Sequence, residues 1–315
     1  MRILVLGAAG QVGFELCRSL ANLGTVLAAD RTTDAALGIE YAVEMANRVQ
    51  LRLTLEALAP QVIVNAAAYT AVDLAEDEIE IADQINHLAV AEIAAYAATR
   101  GALVIHYSTD YVFAGEHSTP AREDQPTGPK SVYGRSKLAG ENALRASGCA
   151  YVLLRTAWVY GARGKNFLLT MLRVARAMPE LSVVNDQIGS PTTARFLAQT
   201  TATILARWSR ADARERQTLT GTCHCVMDGA VSWHGFARAI INSAHQLGLL
   251  PQATPVRAIA SADYPAKAPR PAYSVLDCSL LRERFGCATP PWEQGLQQTL
   301  SELVEARRSL QAIGI

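Results

Sequence analysis

The chain of 315 residues lacks an excess of either charge: Lys plus Arg and Asp plus Glu number 29 each. Without a basic field nothing neutralises a phosphate backbone, so no nucleic-acid partner is expected. It also lacks any apolar stretch near the ~20 residues of a membrane span, which argues against a membrane partner. Paired cysteine spacing is missing too. Cys17, Cys149, Cys223, Cys225, Cys278 and Cys287 are scattered, and Cys223-His224-Cys225 has no second pair at zinc-knuckle distance. That tripeptide reads as strand positions, and no metal site is expected. Met1 stands one residue ahead of the first apolar run, which leaves no room for a signal peptide. A soluble cytoplasmic protein with reduced thiols follows as the expectation. No repeat or low-complexity tract is evident.

What the chain does have begins at once. Arg2-Ile-Leu-Val-Leu6 is the continuous apolar run of a buried parallel strand. It runs into Gly7-Ala-Ala-Gly10-Gln-Val-Gly13, after which Val12, Leu16, Cys17 and Leu20 recur at helical spacing, with Gly24 as a stop. Strand, glycine turn and helix together make a dinucleotide site credible. The glycines permit a tight turn and close backbone approach, and the helix N-terminus receives a pyrophosphate. Gly7, Gly10, Gln11, Val12 and Gly13 are its residues. A second run, Thr25 to Ala29, ends at Asp30, where an acidic side chain meets the adenosine ribose. Arg31 follows, and an arginine there can take a 2′-phosphate, so NADH and NADPH both stay open.

A second motif carries chemistry. Val132-Tyr133-Gly134-Arg135-Ser136-Lys137 places a phenol and an ammonium at i and i+4, on one helix face. A phenol of pKa ~10 is a poor acid or base near neutrality, and a nearby cation favours its phenolate. Lowering it by roughly 3 units takes roughly 4 kcal/mol of differential stabilisation. This is the pair a carbonyl reductase needs to protonate a developing alkoxide. Upstream, Leu103-Val-Ile-His-Tyr107 reads as a strand that delivers Ser108-Thr109-Asp110 at its carboxyl end, where open α/β sheets bind ligands.

Val62 to Ala68 and Tyr151 to Arg155 read as further strands, and about Ala75 to Ala98 as a helix with Ile81, Ile85, Leu88, Ile93 and Ala97 facing inward. Alternating strands and helices predict an α/β, Rossmann-type doubly wound parallel sheet. Beyond Trp158 the pattern is broken by Pro191, Pro251, Pro255, Pro265, Pro269 and Pro271. The expected division is a dinucleotide-binding domain over 1–160 and a smaller, mainly substrate-binding α/β lobe over 161–315, with some later segments returning to the first. Asp73 to Glu80, with five carboxylates, reads as a solvated helix start whose charge suits a helix N-terminus. His106, on an apolar strand, reads as a satisfied core histidine and Arg155 as a structural ion-pair partner.

The glycine turn, the Ser-Thr after a strand and Tyr-x-x-x-Lys together resemble the extended short-chain dehydrogenase/reductase superfamily. The resemblance narrows through Asn65-Ala-Ala-Ala-Tyr-Thr-Ala-Val-Asp73, His106-Tyr-Ser-Thr-Asp-Tyr-Val-Phe113, Val132 to Glu141, Arg155-Thr-Ala-Trp-Val-Tyr-Gly161, Asp186-Gln-Ile-Gly-Ser-Pro-Thr192 and Arg270-Pro-Ala-Tyr-Ser-Val-Leu-Asp277. Over nearly its full length the chain is similar to the dTDP-4-dehydrorhamnose reductases. The resemblance implies NAD(P)H-dependent reduction of the 4-keto group of a dTDP-sugar, the last step towards dTDP-L-rhamnose, a precursor of cell-surface polysaccharide.

Residue by residue, the resemblance makes Tyr133 the proton donor to O4, Lys137 the holder of the nicotinamide ribose and Thr109 a hydrogen-bond partner of the carbonyl. Glu44 and Met45 fall at adenine contacts, although the family usually has Asp first. Ala68, Tyr69 and Thr70 fall beside the nicotinamide, and Asp110 and Trp158 near the sugar ring. Arg270 is assigned to the diphosphate on chemistry alone. Some members form dimers bridged by magnesium through carboxylates. A homodimer is compatible with this chain, but Arg195 argues against the metal bridge. A sugar-nucleotide 4,6-dehydratase would carry Asp-Glu after the active threonine, where this chain has Asp110-Tyr111. A 4-epimerase, which returns its cofactor unchanged, and a non-catalytic NADP-binding regulatory subunit remain as alternatives.

Overall fold

The computed structural model describes residues 1–116 and 118–312. The first half runs β1 (Arg2–Leu6), α1 (Gln11–Leu20), β2 (Thr25–Asp30), β3 (Tyr41–Ala42), α2 (Arg48–Leu58), β4 (Val62–Asn65), α3 (Ile79–Asp83), α4 (Ala89–Arg100), β5 (Leu103–Thr109), α5 (Val132–Ala146) and β6 (Ala150–Thr156). The second half runs β7 (Val159–Tyr160), α6 (Phe167–Ala177), β8 (Leu181–Val184), β9 (Ile188–Gly189), β10 (Thr192–Thr193), α7 (Ala194–Arg210), α8 (Ala213–Leu219), β11 (Gly221–His224), β12 (Val231–Ser232), α9 (Trp233–Gln246), β13 (Val256–Ile259), α10 (Ser279–Phe285) and α11 (Trp292–Ala312).

Seven strands form one parallel sheet in the order β11-β6-β5-β4-β1-β2-β3. Its strands are apolar throughout because helices cover both faces. Alternation along β1 divides the core: Leu4 and Leu6 face Leu51, Leu55, Val90 and Ile93 of α2 and α4. Ile3 and Val5 join Leu16, Leu20, Leu197 and Ile204 of α1 and α7. Each such side chain contributes roughly 1.5–3 kcal/mol by leaving water. The strand order reverses between β1 and β4, so the loops after β1, β4 and β5 open onto one crevice.

The second half builds three small pairs, β7 with β10, β8 with β13 and antiparallel β9 with β12. It also returns β11 to the edge of the main sheet beside β6, and Cys223 and His224 lie in that strand. Among the described residues, no helix is long and apolar enough to cross a membrane.

The long helix expected over about 75–98 differs in one respect. α3 and α4 are joined by a wide π turn at Gln84–Leu88. The extra residue rotates the inner face. Ile93 and Ala97 are buried, but Ala82, Asn86 and Ala89 take the innermost positions ahead of them, and Ile81, Ile85 and Leu88 are only half-buried. The turn drives a polar residue, Asn86, inward.

Candidate active site

At the end of β1 the backbone folds on itself. Gly7 has φ +80°, and a Cβ there would come within 2.7 Å of the Ala67 amide nitrogen. The Gly10 N–H donates to the Gly7 carbonyl at 3.0 Å. A Cβ on Gly13 would sit 2.0 Å from that same carbonyl oxygen. The glycines answer two constraints: Gly7 lets the turn lie against the segment after β4, and Gly10 and Gly13 let α1 press against the Gly7 carbonyl. No side chain caps α1 and no acidic residue stands in its first turn, so the amides of Gln11, Val12 and Gly13 face outward as donors for an anion. Gln11 is tied across to the second half, its Oε1 accepting from Asn166 at 2.8 Å. Asp30 closes the turn: Oδ2 accepts from the Ala9 N–H and Oδ1 from the Arg31 N–H, both at 2.8 Å. The Arg31 side chain is exposed.

Further along the crevice, Met45 packs in the core with Leu4 and Leu6, while Glu44 Oε1 accepts from the Ala46 N–H at 3.1 Å. Ala68 and Tyr69 are half-buried after β4 and Thr70 is exposed. Asn86 holds this loop in a two-way bond: Oδ1 accepts from the Tyr69 N–H at 2.9 Å and Nδ2 donates to the Tyr69 carbonyl at 3.0 Å. Its Nδ2 also donates to Ser136 on α5 at 3.0 Å. Asn86 thus couples the loop after β4 to the helix carrying Tyr133, and only its displacement by the π turn lets it do so. The sequence signal was a lone polar residue in an apolar stripe.

β5 is buried along all seven residues and ends at Thr109. The Thr109 hydroxyl caps the single turn Asp110–Val112 by accepting from the Tyr111 N–H at 3.1 Å, and it donates to Asp110 at 2.9 Å. It also stands close enough to the Tyr133 hydroxyl to act on that group's proton affinity. α5 reaches this turn because position 134 is glycine: a Cβ there would lie 2.3 Å from the Tyr111 carbonyl. Ser131 caps α5 by accepting from the Gly134 N–H at 3.1 Å, and Glu76 accepts from the Val132 N–H at 2.8 Å. Thr109, Asp110 and Tyr133 are therefore brought into one cluster, with Tyr111 edge-on to the Tyr133 ring at 5.5 Å.

Lys137 is buried on the same helix, but its ammonium donates to the Tyr107 carbonyl at 2.6 Å and lies 3.3 Å from His106 Nε2. The expected depression of the phenol is not what the structure shows. Burial pushes Tyr133 up to about 12, opposed by the nearby Thr109 hydroxyl and reinforced by the charge of Asp110. Desolvation of the phenolate sets the direction, and Lys137, turned to the Tyr107 carbonyl and His106, is not among the groups acting on Tyr133. Burial likewise lowers Lys137 to about 8, partly offset by Glu141, and raises Asp110 to about 6. Burial also works against the Glu141 charge, yet the hydrogen bonds of Arg155 hold that carboxyl below the usual carboxylate range. The pair is bidentate, at 2.9 and 2.8 Å, and both side chains are buried.

The two sugar-side residues have partners within the protein. Arg270 forks onto Asp73 at 3.0 and 2.8 Å, so its guanidinium is already engaged. Trp158 has φ +48° and stacks on Trp233 with ring centroids 3.5 Å apart. Its ring also lies against Gly189, where a Cβ would come within 2.4 Å. The acidic stretch is more than a solvated helix start. Asp73 binds Arg270, Glu76 the start of α5, Asp77 pairs with Lys267 and Glu78 accepts from the Tyr69 hydroxyl at 2.7 Å. Arg195 pairs with Glu302 of α11 at 2.6 Å and lies 3.6 Å from Glu15 of α1.

The family profile described as the RmlD substrate binding domain matches residues 1–305. The dTDP-4-dehydrorhamnose reductase of Burkholderia thailandensis is 45% identical over 306 residues, covering 96% of this chain and 99% of that protein. The chain belongs to the dTDP-4-dehydrorhamnose reductase family. The Salmonella typhimurium reductase is 40% identical, over 96% of this chain and 98% of its own length. Among solved structures, the Bacillus anthracis dTDP-4-dehydrorhamnose reductase in complex with NADP superposes with a TM-score of 0.84 at 31% identity, covering 96% of this chain and 99% of that one. Family members thus share the doubly wound sheet and the second lobe from end to end.

Proposed function

We propose that the protein reduces the 4-keto group of dTDP-4-dehydro-6-deoxy-L-mannose with NADPH, forming dTDP-L-rhamnose. The observation that carries this is the convergence of Thr109 and Tyr133 at the carboxyl end of β5, with Lys137 buried one turn along α5. Residues 1–160 serve the nucleotide and 161–315 mainly the sugar, with β11 and α7 returning to the main sheet.

The uncapped start of α1 and the Cβ-free cradle at Gly7, Gly10 and Gly13 fit a dinucleotide pyrophosphate. Reduced nicotinamide, when bound, supplies hydride to C4. Tyr133 delivers the proton to O4, so the carbonyl gains one hydride and one proton and leaves as a hydroxyl. A pKa of about 12 suits that task, because the phenol holds its proton at neutral pH. Thr109 orients the carbonyl and the Tyr133 hydroxyl together, and Lys137 anchors the nicotinamide ribose. Fixing donor and acceptor in this way is worth several kcal/mol. The Asp30 carboxylate is occupied by two backbone amides, whereas the Arg31 side chain is open to a 2′-phosphate, which favours NADPH. The six free thiols accord with a reducing, cytoplasmic setting.

The test is direct. Purified protein, dTDP-4-dehydro-6-deoxy-L-mannose and NADPH are mixed, loss of reduced-nicotinamide absorbance is followed and the product sugar is identified. Stoichiometric NADPH consumption with a rhamnose product is expected. Turnover without net cofactor loss would instead indicate an epimerase.

A further inference from the structure

We propose that His106 is a positioning residue for Lys137: its Nε2 accepts a hydrogen bond from the ammonium and fixes where that group points. The inference rests on the role given to Lys137 above. His106 lies in β5 with no exposed surface. Its Nε2 is 3.3 Å from Lys137 Nζ, and the Tyr107 carbonyl takes the ammonium from a second direction at 2.6 Å. On its far side the ring packs on its register partner in β4, Asn65. There Nδ1 is 3.2 Å from Asn65 Nδ2, whose Oδ1 accepts from the Ala67 N–H, and within hydrogen-bonding reach of the Asn65 backbone carbonyl.

An ammonium has only hydrogens to offer. Nε2 must therefore present its lone pair, and the ring proton sits on Nδ1, directed at the Asn65 backbone carbonyl; the Asn65 Nδ2, itself a donor, is then a neighbour of Nδ1 and not its hydrogen-bond partner. Burial, then the neighbouring Lys137 charge, keep His106 neutral. Two of the three ammonium hydrogens are thus fixed by β5, and the third has no protein acceptor among the described residues. It is left for a cofactor hydroxyl. The other groups facing Lys137 lie on its own helix, Tyr133 one turn before and Glu141 one turn after. Glu141 is bound by Arg155 from β6 and by Arg145, while Asp110 at the end of β5 bears on Tyr133. β4 contributes only the neutral Asn65.

Three variants of the full chain, assayed with NADPH and keto sugar, test this. His106→Leu should raise the KM for NADPH roughly tenfold, the scale of one hydrogen bond to a charged group. It should also move the alkaline limb of kcat/KM down by about one pH unit, because the lost acceptor favours the neutral amine. His106→Gln, whose Oε1 can occupy the Nε2 position, should restore both. A purely structural role predicts the reverse ranking, since leucine suits a dry core better than glutamine. A normal KM and pH limb in His106→Leu, or a glutamine variant worse than the leucine one, overturns the proposal. Nitrogen-15 NMR of histidine in the unaltered protein checks it independently of how the variants fold: a neutral Nδ1–H tautomer is expected, and an Nε2–H tautomer overturns it. Lys137→Ala separates the two levels. Normal turnover there removes the role of Lys137, whereas a crippled Lys137→Ala beside a normal His106→Leu removes only the role of His106.

Discussion

At the end of β1 the protein lines its crevice with backbone; at the end of β5, in the same crevice, it does so with side chains. The glycine turn holds no buried charge and works by leaving out atoms, since a Cβ at Gly7 or Gly13 would strike neighbouring backbone at 2.7 or 2.0 Å. The α5–β5 cluster works by what it keeps from water: Lys137, Glu141, Arg155, Asp110 and His106 are all buried. The first place should fail when atoms are added, the second when atoms are removed or protons shift.

The sharpest break of that contrast is Tyr133→Phe. It removes one oxygen and should lower kcat by roughly 10²- to 10⁴-fold, with NADPH affinity, read by fluorescence titration, nearly unchanged. Activity within twofold of the parent would sink the proton-donor assignment. Next in size is Arg155→Leu, which leaves Glu141 in a dry core with Arg145 as its remaining ion-pair partner. Urea unfolding should show a loss of about 3–5 kcal/mol. Restoration of most of that loss by Glu141→Leu in the same chain would locate it in the unpaired charge.

Gly13→Ala tests the opposite principle. One added methyl group should cost about 1–3 kcal/mol of stability and weaken NADPH binding more than tenfold, because the turn must shift away from the pyrophosphate. An alanine variant with parental affinity would show that the turn has slack. A further effect is one of pH. The folded pKa of Asp110, about 6, lies above its ordinary 3.8, so the folded chain keeps a proton that the unfolded chain releases. Stability from this group is therefore present at acid pH and lost as pH rises through that window. Asp110→Asn should gain on the parent by up to roughly 3 kcal/mol between pH 4 and pH 7, measured by urea midpoints at each pH. A constant difference would mean that Asp110 is already ionised.

Legibility in the sequence followed the same division. Local signals sufficed where one segment builds one feature: the apolar run of β1, the glycines after it, the i, i+4 spacing of Tyr133 and Lys137. They failed where the partner is remote. Nothing near Arg270 announces Asp73, and nothing near Trp158 announces Trp233 or Gly189. β3 and β11 are short strands held by their neighbours, so their own residues carry little signal. The expected acidity of Tyr133 failed for a different reason. Spacing on a helix puts two residues on one face but gives neither the direction in which the ammonium points nor the degree of burial, and burial decided the sign. The π turn at Gln84–Leu88 shifted the inward face because a single inserted residue breaks the period on which the stripe was read.

Arg195 reaches from the first turn of α7 to Glu302 on α11 and towards Glu15 on α1, the helix that begins at the glycine turn. Under the proposed function the carboxyl-terminal helix braces the nucleotide end of the molecule from a distance. Shortening the protein from its far end before Glu302 should then weaken NADPH binding in fluorescence titration more than it slows turnover at saturating NADPH.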